Sequence, residues 1–278
     1  MIIDGISIKN ARQIRNNLYY YSMADDYSLY DDKNYEFIIN TVYNEFASLF
    51  AFEPLLDTAL LIKLDPDSPC PNTDYKNDGF RSRFKYRNSM RLKSPFSMRN
   101  DDYFVPQAVF ELSHELTHYF FDVNILDSFS FLRKGNIQNY FQQWNEEIIA
   151  ETMAIYMLYR LNDKIINPKL SLKSYLDLYL NDEYKNNLAA MKSNKPMSLS
   201  DFNKLSELVR TRRSEYYAEV RYLYDVLCAY SDNEIRHLIN MYHFYNPKGF
   251  IDYEKWEMLS QSNFIMDVRK IQPQIIQL

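Results

Sequence analysis

A chain of 278 residues that is 46% hydrophobic can bury a sizeable core, which excludes disorder as the default reading. Four glycines against 25 tyrosines and 18 phenylalanines exclude a glycine-rich phosphate loop or dinucleotide fingerprint, and point to a mainly helical protein with an aromatic core. The net charge of -5 comes from interspersed charges and offers no basic field to a nucleic acid or an anionic membrane, so neither is expected as a partner.

The opening stretch, MIIDGISIKNARQIRN, has no long apolar region, and no later segment reaches the roughly 18 uninterrupted apolar residues of a membrane span, so a soluble, cytoplasmic chain is expected. Residues 33 to 53 carry Tyr35, Ile38, Ile39, Val42, Phe46 and Phe50 at three- and four-residue spacing, an amphipathic helix with one buried stripe. Thr58 to Leu64 is short and apolar and runs into Asp65-Pro66, which reads as a strand ending in a turn. Arg81 to Lys93 alternates in part, with Phe84, Tyr86, Met90 and Leu92 on one parity, and suggests a second strand or hairpin. A helix is expected from about Pro106 to about Phe121, with Asn100, Asp101 and Asp102 upstream and Pro106 in a first turn where its missing N–H costs nothing. After Lys134-Gly135-Asn136 a second helix runs from about Asn139 to Leu161. The pattern from Leu170 to Tyr245 is helical, broken near Asn194-Lys-Pro196 and Ser231-Asp-Asn233, and Pro247-Lys-Gly249 and Pro273 mark a less regular tail. The expected fold class is α+β and predominantly helical: one domain with an N-terminal lobe over 1–122, holding a small sheet, and a helical lobe over 123–278. Cys70 and Cys228 stand far apart and read as two free thiols.

The chemistry concentrates in His114-Glu115-Leu116-Thr117-His118, which holds two of the chain's four histidines. On a helix the i, i+4 spacing puts both imidazoles on one face, one turn apart, where both reach one metal ion. Glu115, rotated by about 100° from His114, borders the ion without ligating it, which is where a base for a metal-activated water belongs. A merely structural helix would satisfy the same spacing. Against that reading, Val109, Leu112, Leu116 and Phe120 form one apolar stripe while Glu111, His114 and His118 gather opposite, flanked by Phe110 and Phe121. A third ligand is expected from the second helix. Glu147 is chosen over Glu146 because it has a carboxylate one turn later, Glu151, able to accept the spare N–H of a ligating imidazole, whereas four residues beyond Glu146 stands Ala150. The ligand types select zinc, one ion per chain.

HELTH followed by Glu147, 29 residues after His118, and by Glu151 resembles the gluzincin group of zinc metallopeptidases, in which HExxH precedes a glutamate ligand on a following helix. VFELSHELTHYFF together with the segment Glu147 to Ala154 also resembles the ImmA/IrrE-type peptidases, which cut repressor proteins, although those commonly carry Gly where this chain has Thr117. The resemblance implies a zincin-like fold: a small, mostly antiparallel sheet, an active-site helix and a C-terminal helical lobe, with the cleft between. It implies Glu115 as the catalytic base and a peptide or protein substrate lying along the sheet edge made by residues 81 to 93. The donor for the oxyanion is open among His237, His243 and Tyr119. Two other classes compete: a zinc-binding regulatory or peptide-binding protein without catalysis, and a helical protein without metal.

Overall fold

In the computed structural model the described residues are 2–3, 6–22, 32–54, 60–65, 72–75, 87–93, 103–127, 140–166, 170–181, 186–209, 212–245 and 250–276. Among them, helices dominate. A two-stranded ribbon, β1 (Ile2–Ile3) and β2 (Ile6–Ser7), precedes a five-stranded sheet of β3 (Arg12–Arg15), β4 (Leu18–Ser22), β5 (Leu60–Asp65), β6 (Asn72–Tyr75) and β7 (Arg87–Lys93), in the order β3-β4-β5-β7-β6. β3 and β4 form a hairpin whose turn places Asn17 at φ 58, the left-handed conformation asparagine tolerates. β4 runs parallel to β5 and β5 parallel to β7, while β6 is antiparallel to β7.

The expected mostly antiparallel sheet is therefore a mixed one. The cause is α1 (Asp32–Phe50), a 19-residue crossover between β4 and β5 that returns the chain to the same end of the sheet. The strands over residues 12 to 22 carry no apolar–polar alternation to announce them, since β4 reads Leu-Tyr-Tyr-Tyr-Ser. β7 is paired on both sides, so among the described residues the sheet edge near the second expected strand is β6. Phe84 and Tyr86 lie outside the described residues, as do Cys70, Asn100 to Asp102, Lys134 to Asn136 and Pro247 to Gly249.

The sheet is covered on both faces. Leu18, Tyr20, Leu60 and Ile62 point into the helical core, whereas Leu61 on the other face packs with Ile6, Ile8, Ala11, Tyr19 and Tyr21. α1 buries its predicted stripe completely and ends at Phe50, where Ala51 turns left-handed at φ 47. α2 (Phe104–Asp127), with Pro106 in its first turn, lies against α1: Phe120 meets Tyr43 at 5.3 Å, Phe46 at 5.4 Å and Phe52 at 6.3 Å between ring centroids. α3 (Tyr140–Arg160) packs along α2. α2 runs unbroken past residue 122, and one continuous core joins residues from both expected lobes.

Further along the chain come α4 (Leu172–Leu180), α5 (Leu199–Val209), α6 (Tyr217–Ala229), α7 (Asp232–Ile235) and a 3-10 helix over Arg236–Phe244. The expected break at Ser231 is a helix start, where Ser231 and Glu234 form a capping box. The tail is more regular than expected. α8 (Tyr253–Ser260) is capped by Asp252 and α9 (Asn263–Arg269) by Ser262, after which β9 (Ile275–Ile276) pairs in parallel with β8 (Met197–Ser198). Arg160 of α3 bonds Glu45 of α1 at 2.6 Å and Asp232 of α7 at 2.5 Å, and Lys164 also reaches Glu45. This charged knot ties three helices together where the sheet does not reach. No helix among the described residues is long and apolar enough to cross a membrane.

Candidate metal centre

α2 is buried almost all round from Ala108 to Phe121, so the side opposite its apolar stripe must face other protein rather than water. Val109, Leu112, Leu116 and Phe120 meet the core beneath the sheet and α1, while Glu111, His114 and His118 are buried beneath α3 and α4. Phe110 on one flank packs against Tyr179 at 5.5 Å, and Phe121 on the other against Tyr242 at 5.5 Å. Thr117, between the two histidines, directs its hydroxyl back to the Ser113 carbonyl at 2.8 Å. Its polar atom is thus satisfied within the helix.

α3 brings Glu147 over the two histidines. One carboxylate oxygen of Glu147 lies 3.5 Å from His114 Nε2 and the other 3.9 Å from His118 Nε2. The imidazoles stand 5.1 Å apart between centroids, and donor atoms of His114, His118 and Glu147 all fall within 4.8 Å of one another. Two imidazole nitrogens and a carboxylate are a donor set that zinc accepts, so this group can hold a metal ion. Glu147 keeps 21% of its side chain exposed while His114 keeps 6%, so the group is approached from the Glu147 side. Glu146, its neighbour in sequence, is not part of the group.

Glu151, one turn beyond Glu147, is 1% exposed and puts Oε2 3.4 Å from His114 Nδ1, a charge contact rather than a well-directed hydrogen bond. Burial works against a charged His114, but Glu147, Glu151 and the nearby Glu115 outweigh it and push its pKa up to about 10. The anions that hold a proton there would equally hold a metal cation. Glu115 itself is 3% exposed, within the group's electrostatic reach.

Further residues enter the site that the sequence did not single out. Arg213, from a single 3-10 turn before α6, donates to Glu151 Oε2 at 3.2 Å, and the Tyr179 hydroxyl on α4 donates to the other oxygen. Burial pushes the Glu151 carboxyl up, yet His114, Arg213 and Tyr179 together carry it below the ordinary range. Tyr216 is fully buried beside Arg213, with its hydroxyl bonded to no partner among the described residues; burial and the charges of Glu151 and Glu147 hold it protonated. On the α2 side, Gln107 donates to Glu111 at 2.8 Å and accepts from Tyr175 at 2.5 Å, extending the polar floor one turn toward the helix start. No local spacing announces Arg213, because only the chain's return beneath α3 brings it to Glu151.

The other expected donors lie elsewhere. Tyr119 is part of the hydrophobic core, its ring 6.0 Å from Phe120. His243 contacts Asn124 near the end of α2 at 3.1 Å, and His237 lines a separate cavity with it. Cys228 is exposed and free. Comparison with protein-family models, with curated proteins and with solved structures returns no match, so the likeness in motif and spacing rests on these residues alone.

Proposed function

We propose that this chain is a zinc-dependent metallopeptidase of the gluzincin type. The observation that carries this reading is the convergence of His114, His118 and Glu147 from two helices onto one buried point, with Glu115 in the motif position of a general base. These three side chains would hold one zinc ion per chain, with Glu151 behind His114 keeping its ring in place. Zinc, when bound, supplies a positive charge that polarises a peptide carbonyl and lowers the pKa of water toward roughly 7.

The chain's own groups account for the proton. Glu115 accepts it from water as the oxygen bonds to the carbonyl carbon, then delivers it to the amide nitrogen as the C–N bond breaks, so the amine leaves neutral. Arg213, with 39% of its side chain exposed next to Glu151, is the donor we favour for a substrate carbonyl, in place of His237, His243 or Tyr119. A substrate strand would pair with β6, the outer strand of the sheet among the described residues, and not with β7.

The test is metal content and hydrolysis measured together on wild type and Glu115→Gln. The reading expects one zinc per chain in both, with cleavage of an unstructured protein or a peptide library in the wild type lowered by about 10²-fold or more in the variant. Equal cleavage by both would remove Glu115 from the mechanism. Zinc with no cleavage in either would favour the regulatory alternative, and no metal in folded protein would overturn the reading altogether.

A further inference from the structure

The 3-10 helix over Arg236–Phe244 has nine residues, far beyond the usual three or four for this poorly bonded form. With three residues per turn, His237, Asn240 and His243 stack in one row, and all three line a cavity of about 240 Å³. Facing them are Trp256 and Leu259 of α8, with Trp256 stacked on Phe244 at 5.4 Å and 16°.

Asn124, close to the end of α2, fixes the polarity of this row. Its amide nitrogen lies 3.0 Å from the Ile239 carbonyl, which can only accept, so the nitrogen is the donor there. Its second hydrogen points between Asn240 Oδ1 at 3.4 Å and His243 Nε2 at 3.1 Å. With its Oδ1 on the Asn124 side, Asn240 directs its amino group away from Asn124. The indole N–H of Trp256 is buried with no acceptor among the described residues.

We propose that this cavity, between the 3-10 helix and α8, binds a small neutral planar group, one ring in size, that presents a hydrogen-bond acceptor to Asn240 and His237. The lining chooses the class. Among the described residues it includes no Lys, Arg, Asp or Glu, so neither a phosphate-like anion nor an organic cation finds a countercharge in that lining. Its two histidines belong to no three-ligand group among the described residues, which speaks against a metal ion. It is open to solvent, and its volume of about 240 Å³ is on the scale of one ring. A free heteroaromatic or aromatic amide, or an aromatic side chain with its adjoining peptide carbonyl, has this chemistry.

The experiment is a titration of the full chain followed by the two tryptophan indole N–H signals in nitrogen–proton NMR. Trp144, whose N–H donates to the Ile271 carbonyl at 3.0 Å, serves as the internal control. Benzamide should move the Trp256 signal alone and saturably, with a dissociation constant on the order of 1 mM. Toluene, lacking the acceptor, should bind roughly fivefold more weakly, and so should benzamide to Asn240→Ala or His237→Phe with the Trp144 signal in place. A tenfold preference for N-acetylphenylalanine amide over benzamide would assign the site to a polypeptide side chain, and the reverse order to a free small molecule. No saturable shift with any probe to about 10 mM, or benzamide binding untouched by both substitutions, would overturn the proposal.

Discussion

Removing the charge of Glu151 while keeping its shape, by Glu151→Gln, tests how far the metal centre depends on a residue that does not ligate. Glu151 is 1% exposed and sits 3.4 Å from His114 Nδ1 and 3.2 Å from Arg213. Between full unit charges at 3.4 Å, an effective dielectric of about 20 gives roughly 5 kcal/mol, which is the ceiling on its influence over His114. A neutral ligating imidazole carries only part of that charge, so the expected loss is the about 10- to 100-fold typical of a carboxylate behind a metal-bound histidine, or about 1.4–2.7 kcal/mol. The amide still accepts from Tyr179 or Arg213, so the fold should survive, whereas Glu151→Ala leaves the buried Tyr179 hydroxyl without this acceptor and should cost about 1–3 kcal/mol of stability. Zinc affinity would be read by competition against a chromophoric chelator at neutral pH, with circular dichroism melts of the metal-free proteins as the control. A folded Glu151→Gln protein binding zinc within twofold of wild type would refute the argument that this buried charge supports the site.

Glu147→Ala should empty the centre as judged by elemental analysis, while Glu146→Ala should leave its metal content intact; the opposite order would place the ligand one residue earlier. Glu219, fully buried on α6 and accepting from the Ser193 backbone N–H at 3.1 Å, is pushed by burial from an ordinary 4.5 up to about 7. The folded chain therefore holds a proton that the unfolded chain has released, so this contribution is complete below about pH 4.5 and fades as pH rises through 7, worth roughly 3 kcal/mol. Urea unfolding at pH 5 and pH 8 should find wild type losing that much more stability than Glu219→Gln across the interval; an equal change in both proteins would exclude the effect. Phe120→Ala, which empties a site ringed by Tyr43, Phe46 and Phe52, should cost about 3–5 kcal/mol in chemical denaturation, and Phe37→Ala, at 53% exposure, about 0.5 kcal/mol or less.

Features governed by neighbours in sequence were legible without coordinates. The i, i+4 spacing of His114 and His118, the apolar stripe of α1, the start of α2 and the extent of α3 follow from helical periodicity, since each residue's face is fixed by its position along the same helix. The choice of Glu147 over Glu146 rested on the same local geometry, and α3 does bring Glu147 to the histidines. The extra length of α2, to Asp127 instead of about Phe121, already depends on a distant partner, because Asn124 is held by the Ile239 carbonyl.

What only the tertiary structure decided are the contacts between segments far apart along the chain. Strand direction in the sheet depends on the crossover through α1, and β4, three tyrosines in a row, has one face on the core and one on the N-terminal cover, so no alternation marks it. Arg213 meets Glu151 across 62 residues, and its role is set by the burial that makes an uncompensated carboxylate costly. A sequence records which side chains a helix presents; which distant charge answers them is decided only when the helices close on one another and exclude water.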